Sequence, residues 1–350
     1  MSQNLRRMVY FDLWTHDAGR SVIEQASGIE MTRLERSRPA EELWPRLVGV
    51  HGYQIGSSRQ ELPGHLHGAD ELLARCPDLL VISADGAGVD TVDIDACTRA
   101  GVIVVNQAGG NREGVAEHAL ALMLSLAKRI GETDRALRRD RNWHRNDYLG
   151  NDILNKTVGI IGLGHVGGRL ATICRTAFSM RVLAYDPYLT EAEYADRHAE
   201  KTSLETLLKT SDFVQICCPY TAETMGMVGE QALATMQPHA YLISTARGGI
   251  HDEAALAQAL RDRHIRGAGL DVWDDEPPPL DHPLLSLDTV IASPHTAGVT
   301  EESRRNISLI CAEQWLAIWR GERPKRLLNP EAWSRYQARY AERFDAQAAE

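Results

Sequence analysis

Three side chains pose the chemical question. Arg247 stands in Ile243-Ser-Thr-Ala-Arg247-Gly-Gly, Glu276 in Gly269-Leu-Asp271-Val-Trp-Asp-Asp-Glu276-Pro, and His295 in Ile291-Ala-Ser-Pro294-His295-Thr-Ala-Gly298. An imidazole titrates near working pH and can pass a proton to or from a substrate oxygen. A guanidinium fork can grip a carboxylate and also face a reacting oxygen. A carboxylate beside the imidazole favours its charged form and fixes the ring. These are the services that hydride transfer to or from a nicotinamide asks of a protein. Each residue alone has a plainer reading: a structural strand-end histidine, an arginine in a surface turn, a solvated acidic loop.

The elements behind these motifs argue for the chemical reading. Each motif ends a β-like run at polar residues, and ligands of open α/β sheets bind beyond the carboxyl ends of the strands. The three could therefore converge on one crevice. Strands are expected at Met8–Phe11, Leu47–His51, Leu79–Ser83, Val102–Val105, Thr157–Gly162, Arg181–Tyr185, Phe213–Cys217, Ala240–Ser244, Gly267–Leu270 and Thr289–Ile291. Near-continuous Val/Ile/Leu strands alternating with helical stretches imply parallel sheets covered on both faces. The fold class is α/β, doubly wound. Two long helical patterns, Glu113–Ile130 and Glu301–Trp319, suggest two crossings between domains. Residues 1–106 and 305–350 would form one domain around an inserted domain of residues 107–304.

The inserted segment carries a nucleotide signal. Lys156-Thr-Val-Gly-Ile-Ile-Gly162-Leu-Gly164-His165-Val166-Gly167 reads as strand, glycine turn and helix start. Gly162 permits the tight turn, Gly164 lets backbone approach a pyrophosphate, and Gly167 lets helix and strand pack closely. The helix N-terminus then offers free N–H groups to the phosphates. Asp186 ends the second strand, 19 residues after Gly167. Its carboxylate suits the ribose hydroxyls and repels a 2′-phosphate, so the cofactor expected is NAD rather than NADP. The expected architecture is a Rossmann NAD-binding domain inserted into a discontinuous, flavodoxin-like substrate domain.

Composition narrows the class. The 350 residues are 43% apolar and 25% charged, with a net charge of −10. So acidic a chain has no global electrostatic reason to coat nucleic acid or an anionic membrane. Its longest apolar stretch, Ala119–Ala127, is far short of the roughly 20 residues of a span. The start, MSQNLRRMVYFD, lacks the apolar core of a signal peptide. Cys76, Cys97, Cys174, Cys217, Cys218 and Cys311 show no CxxC spacing and read as reduced thiols of a cytoplasmic protein.

Together the motifs resemble the D-isomer-specific 2-hydroxyacid dehydrogenases. The resemblance covers roughly residues 80–330. It rests on Asp85-Gly86-Ala87-Gly88-Val89-Asp90, Val115-Ala116-Glu117-His118, the glycine fingerprint, Ala246-Arg247-Gly248-Gly249, Leu270-Asp271-Val272-Trp273, Glu276-Pro277 and Pro294-His295-Thr296-Ala297-Gly298. It implies that Arg247 anchors substrate, Glu276 tunes the acid/base group, and His295 is that group. It implies that His165 and Val166 present N–H groups to the pyrophosphate, and that Thr245, Ala246 and Asp271 line the nicotinamide. Cys218 and Pro219 belong to a loop near the adenosine, and Thr224 and Gly298 are further cofactor contacts. Arg247 and His295 would also touch the cofactor. Asp85, Gly86 and Ala87 match the loop whose N–H groups receive the substrate carboxylate. The implied activity interconverts a small 2-oxo acid and its D-2-hydroxy acid with NAD, in a homodimer built through the cofactor domain with Glu113 to about Gly150 as its arm.

There are departures. Cys217 sits where many members have His, and Ala108 replaces a common proline. Ala84, beside Asp85, occupies a place where phosphoglycerate-type enzymes often carry an arginine, which argues against a phosphorylated substrate. His251 replaces an apolar residue and is expected to cap or pack at the next helix. Residues 51–68 are the least family-like and read as a specificity loop, with Tyr53 and Arg59 as its substrate contacts. His65 and His67 lack further ligands, so no metal is expected. The tail, residues 331–350, reads as a helix packed on its own domain or on a partner subunit. Two alternatives share the fold: an NAD-sensing co-repressor-like binding protein and a phosphite dehydrogenase-like enzyme.

Overall fold

The computed structural model describes residues 5–139 and 141–345. The first four residues of the expected outer segment, Asp140 of the expected arm and the last five residues of the tail lie outside them. The chain divides into two units: the described residues of 1–111 and 300–350, and residues 112–299.

The first unit holds β1 (Arg6–Phe11), β2 (Ile29–Leu34), β3 (Gly52–Ile55), β4 (Val81–Ala84) and β5 (Ile103–Val105). All pair in parallel in the order β2-β1-β3-β4-β5. The helix Glu301–Trp319 returns to this sheet because its apolar face has nowhere else to go. Trp315 is fully buried, stacks on Trp319 at 5.3 Å and donates from its indole N–H to Gln54. At Gly19 of the helix Asp17–Glu24 a Cβ would lie 2.0 Å from the Ser308 carbonyl, so only glycine allows these two helices to meet. The tail helix Trp333–Tyr340 packs on its own unit, with Tyr336 and Tyr340 buried beside Phe344.

The second unit holds β6 (Thr157–Ile161), β7 (Arg181–Tyr185), β8 (Glu200–Lys201), β9 (Phe213–Ile216), β10 (Tyr241–Ser244), β11 (Gly267–Leu270) and β12 (Val290–Ala292). They form one parallel sheet in the order β12-β11-β10-β9-β6-β7-β8. The order reverses between β6 and β9, which is the topological switch point where such sheets bind ligands. Strands β9, β10 and β11 are buried along their whole length, as expected of strands covered on both faces. Among the described residues no helix is long and apolar enough to cross a membrane.

Local expectations fail in three places. Leu47–His51 is not a strand: the helix Ala40–Leu47 ends there and the chain turns through Gly49, at φ +73°, before β3 begins at Gly52. β2 and β8 lacked a clear apolar signature and were not expected. The helix expected over Glu113–Ile130 is two, Arg112–Ala127 and Ile130–Arg139, broken where Arg129 adopts φ +55°.

Candidate functional site

The glycine turn after β6 divides its three glycines by what surrounds them. A Cβ at Gly162, where φ is +90°, would lie 2.6 Å from the Cys218 nitrogen. At Gly167 it would lie 2.2 Å from the Gly162 carbonyl oxygen. At Gly164 it would meet nothing within 4 Å. Gly162 therefore closes the turn against the loop after β9, Gly167 lets the helix close on the turn itself, and Gly164 faces open space at the start of the helix His165–Phe178. An α-helix leaves the N–H groups of its first turn outside its own hydrogen-bond ladder, and His165 and Val166 stand in that turn. This cradle fits a dinucleotide pyrophosphate.

Asp186 follows β7. Its carboxylate accepts from Leu163 N at 3.0 Å and from Tyr188 N at 3.1 Å, which ties it to the glycine turn. Each oxygen keeps a lone pair for a ribose hydroxyl. Thr224 accepts from Thr221 N at 2.8 Å and donates to the Pro219 carbonyl at 2.7 Å, stiffening the loop after Cys218. Thr245, just beyond β10, accepts from the Gln215 amide at 3.0 Å.

His295 and Glu276 stand at the same end of the sheet. His295 Nδ1 lies 2.8 Å from Glu276 Oε2, and the other oxygen of Glu276 accepts from Trp273 N at 3.1 Å. The two side chains are 31% and 16% exposed, so the pair is reachable yet partly dry. Burial pushes the Glu276 carboxyl upward. The His295 hydrogen bond and charge, the Trp273 N–H and the Arg247 guanidinium outweigh it and hold the group below the ordinary carboxylate range. Arg247 donates to the Ala246 carbonyl at 2.7 Å.

The backbone of His295 is itself unusual, with φ +55° in a region that non-glycine residues seldom adopt. Asp271, at the end of β11 and 1% exposed, holds it there. Its carboxylate accepts from Ser293 Oγ at 2.6 Å, Thr296 N at 2.8 Å and Ala297 N at 2.9 Å, and its carbonyl accepts from His295 N at 2.8 Å. Gly298 follows directly. His118, on the helix Arg112–Ala127, hydrogen-bonds Ser293 Oγ at 2.9 Å. Asp271, expected beside the nicotinamide, thus spends its carboxylate on shaping the histidine loop. Ser293, His118, Trp273 and Asp274 were not expected to matter. Each lies inside or beside a motif quoted above, but its role depends on partners distant in sequence.

Expectations for the first unit fare unevenly. Tyr53 is not on a loop. It lies within β3, is 1% exposed, and donates to the Leu66 carbonyl at 3.2 Å with its ring edge against Phe11. It is a core residue, and a substrate contact through it is withdrawn. Arg59 donates to the Asp90 carbonyl at 3.0 Å. Asp85 accepts from Ser57 N at 2.9 Å. The carbonyls of Gly86 and Ala87 are taken by Gln107 N at 2.8 Å and the Asn106 amide at 2.7 Å, so this turn is anchored through its acceptors.

The sequence model of the D-isomer specific 2-hydroxyacid dehydrogenase, NAD binding domain, matches residues 120–297. A D-3-phosphoglycerate dehydrogenase of Archaeoglobus fulgidus is 39% identical over 259 residues, 74% of this chain and 49% of that protein. A glyoxylate reductase of Korarchaeum cryptofilum is 38% identical over 264 residues, 75% of this chain and 79% of its own length. The structure of a D-lactate dehydrogenase from Aquifex aeolicus, complexed with NAD and lactic acid, superposes with a TM-score of 0.79 at 26% identity, covering 92% of this chain and 99% of that one. The chain spans about half the length of the first phosphoglycerate dehydrogenases it matches. The matched domain makes NAD the cofactor, and the chain belongs to the D-isomer specific 2-hydroxyacid dehydrogenases.

Proposed function

We propose that this chain is an NAD-dependent oxidoreductase that interconverts a small 2-oxo acid and its D-2-hydroxy acid. The observation that carries the reading is the 2.8 Å contact between His295 Nδ1 and Glu276, within the field of Arg247. Gly162, Gly164, His165, Val166 and Gly167 would hold the pyrophosphate, with Asp186 on the ribose. The bound nicotinamide supplies or accepts the hydride. With Nδ1 engaged by Glu276, Nε2 of His295 is the atom left to hand a proton to the substrate carbonyl oxygen, or to take one in the reverse direction. Glu276 stabilises the charged imidazolium before transfer. Arg247 pairs with the substrate carboxylate and polarises the carbonyl. The N–H groups of Gly86 and Ala87 are proposed as further carboxylate donors.

The test is an NADH-oxidation screen over glyoxylate, hydroxypyruvate, pyruvate, 2-oxoisocaproate and phenylpyruvate, with NADPH alongside. Turnover of one or more, with NADH preferred, is expected. NADH binding without turnover of any of them counts against the reading.

We also propose a homodimer through the second unit. The helix Ile130–Arg139 buries no residue, and Ile130, Leu137, Trp143 and Leu149 are exposed on this arm. A monomer by light scattering at micromolar concentration would reject it. A cytoplasmic setting suits the free thiols at all six cysteines, five of them buried.

A further inference from the structure

Behind His295 and Glu276 lies a second histidine–glutamate pair that the proposed proton transfer does not use. Glu253 opens the helix Glu253–Arg261, where a carboxylate meets the positive end of the helix dipole. One of its oxygens accepts from Asp274 N at 2.9 Å and the other lies 3.0 Å from His282 Nε2. His282 Nδ1 accepts from Leu284 N at 3.3 Å, so Nε2 carries the proton and donates to Glu253. The two side chains are only 12% and 11% exposed.

The pair braces the dipeptide Trp273-Asp274, and all three proposed active residues lean on that dipeptide. Trp273 N donates to Glu276 at 3.1 Å. The Trp273 indole N–H donates to the Ser293 carbonyl at 3.1 Å, in the loop that carries His295. Asp274 Oδ1 accepts from Gly249 N at 2.6 Å, in the turn that carries Arg247. A Cβ on Gly248 would fall 2.0 Å from the Trp273 carbonyl oxygen, so that turn lies directly against the dipeptide. From behind, Glu253 holds Asp274 N, and His282 meets the Trp273 ring edge-on with centroids 5.5 Å apart.

We propose that Glu253 and His282 are positioning residues for the proton transfer: together they fix Trp273-Asp274, and through it the orientation of Glu276 towards His295. The proposal rests on the oxidoreductase reading above. Position 253 requires a carboxylate because both its partners are donors. An amide would satisfy one and turn its own N–H on the other. At position 282, glutamine can supply a donor at the place of Nε2 and an amide oxygen as acceptor, and leucine can supply neither. The charged group facing His295 is Glu276, itself in the field of Arg247, with Asp271 and His118 behind the histidine loop. Those near Glu253 are Asp274, His282 and the adjoining Asp252.

The experiment compares wild type, Glu253→Gln, His282→Leu and His282→Gln. Reduction of the best 2-oxo acid is measured across pH, NADH binding by fluorescence, folding by thermal melting, and the His295 ring by NMR titration. Glu253→Gln and His282→Leu should lower kcat about ten- to a hundredfold, as a small misplacement of catalytic groups does. The limb on which reduction falls with rising pH, and the NMR titration of His295, should both move to lower pH. NADH binding should hold and His282→Gln should stay near wild type. Folded variants whose His295 titrates as in wild type, or a His282→Gln as impaired as His282→Leu, overturn the proposal. Because the NMR readout needs no turnover, a wild type inert towards every 2-oxo acid rejects the oxidoreductase reading and leaves the bracing to be judged on the His295 titration.

Discussion

The turn after β10 and the loop after β12 each carry one histidine, and the two imidazoles have opposite surroundings. His295 is partly exposed, with a carboxylate 2.8 Å away and a backbone held at φ +55° by Asp271. His251, four residues beyond Arg247, is 1% exposed, and neither of its ring nitrogens has a hydrogen-bond partner. Burial drives its pKa down to about 4, although Asp274 and Asp252 pull the other way. The same side chain is thus paired with a carboxylate and open to solvent in one loop, and a buried filler without a hydrogen-bond partner in the other. A carboxylate within hydrogen-bond reach, together with access to solvent, makes the difference.

The comparison can be broken at His295 first. His295→Gln should lower kcat for 2-oxo acid reduction by about 10²–10⁴-fold, with the melting temperature and NADH affinity kept. A rate near wild type would make this histidine as inert as His251.

Glu276→Gln removes the feature that separates the two. Reduction draws its proton from the His295–Glu276 pair, so its pH limb should be displaced in this variant, and a profile of unchanged position would dissolve the pairing. Stability carries a matching sign. The Glu276 pKa is depressed, so its contribution is present above the ordinary carboxylate range and is lost as pH falls through the lowered value. Acid unfolding of the glutamine variant should lack that component.

His251→Val sharpens the contrast from the other side. It replaces a buried, unpartnered imidazole with an apolar group and should stabilise the fold by about 1–3 kcal/mol in chemical denaturation, with kcat unchanged. In the wild type the unfolded chain binds a proton at His251 near pH 6.5 and the folded chain only near 4. Stability should therefore fall as pH drops through that window, and the valine variant should lose this slope. A slope that survives would place the titration elsewhere.

The smallest effect is expected at Ser293→Ala. It deletes the hydroxyl between Asp271 and His118 and should cost about 1 kcal/mol of stability, with a few-fold loss of kcat as the histidine loop loosens.

The parts of the site that depend on backbone demands were legible in the sequence. Gly162 and Gly167 are needed because a Cβ would collide with neighbouring backbone, and such needs leave glycines at fixed spacing. Asp186 was legible because it ends a strand at a set distance from them. Tyr53 was misread because Leu47-Val48-Gly49-Val50 has strand composition, whereas the true strand, Gly52-Tyr53-Gln54-Ile55, contains a glycine and a glutamine. Its glutamine accepts from Trp315, a partner 261 positions away, which no local window can see. The left-handed residue at the helix break is Arg129 rather than the nearby Gly131, so residue type did not announce the break.

The sequence by itself determined the α/β class and the glycine turn and singled out Arg247, Glu276 and His295 as candidates, since periodicity, glycine spacing and strand-end polarity are local properties of a chain. Only the tertiary structure decided how differently the two histidines are surrounded. His251 and His295 are alike in type and both follow strands. Burial, the reach of Glu276 and the grip of Asp271 on one loop come from segments that meet only when the sheet is assembled.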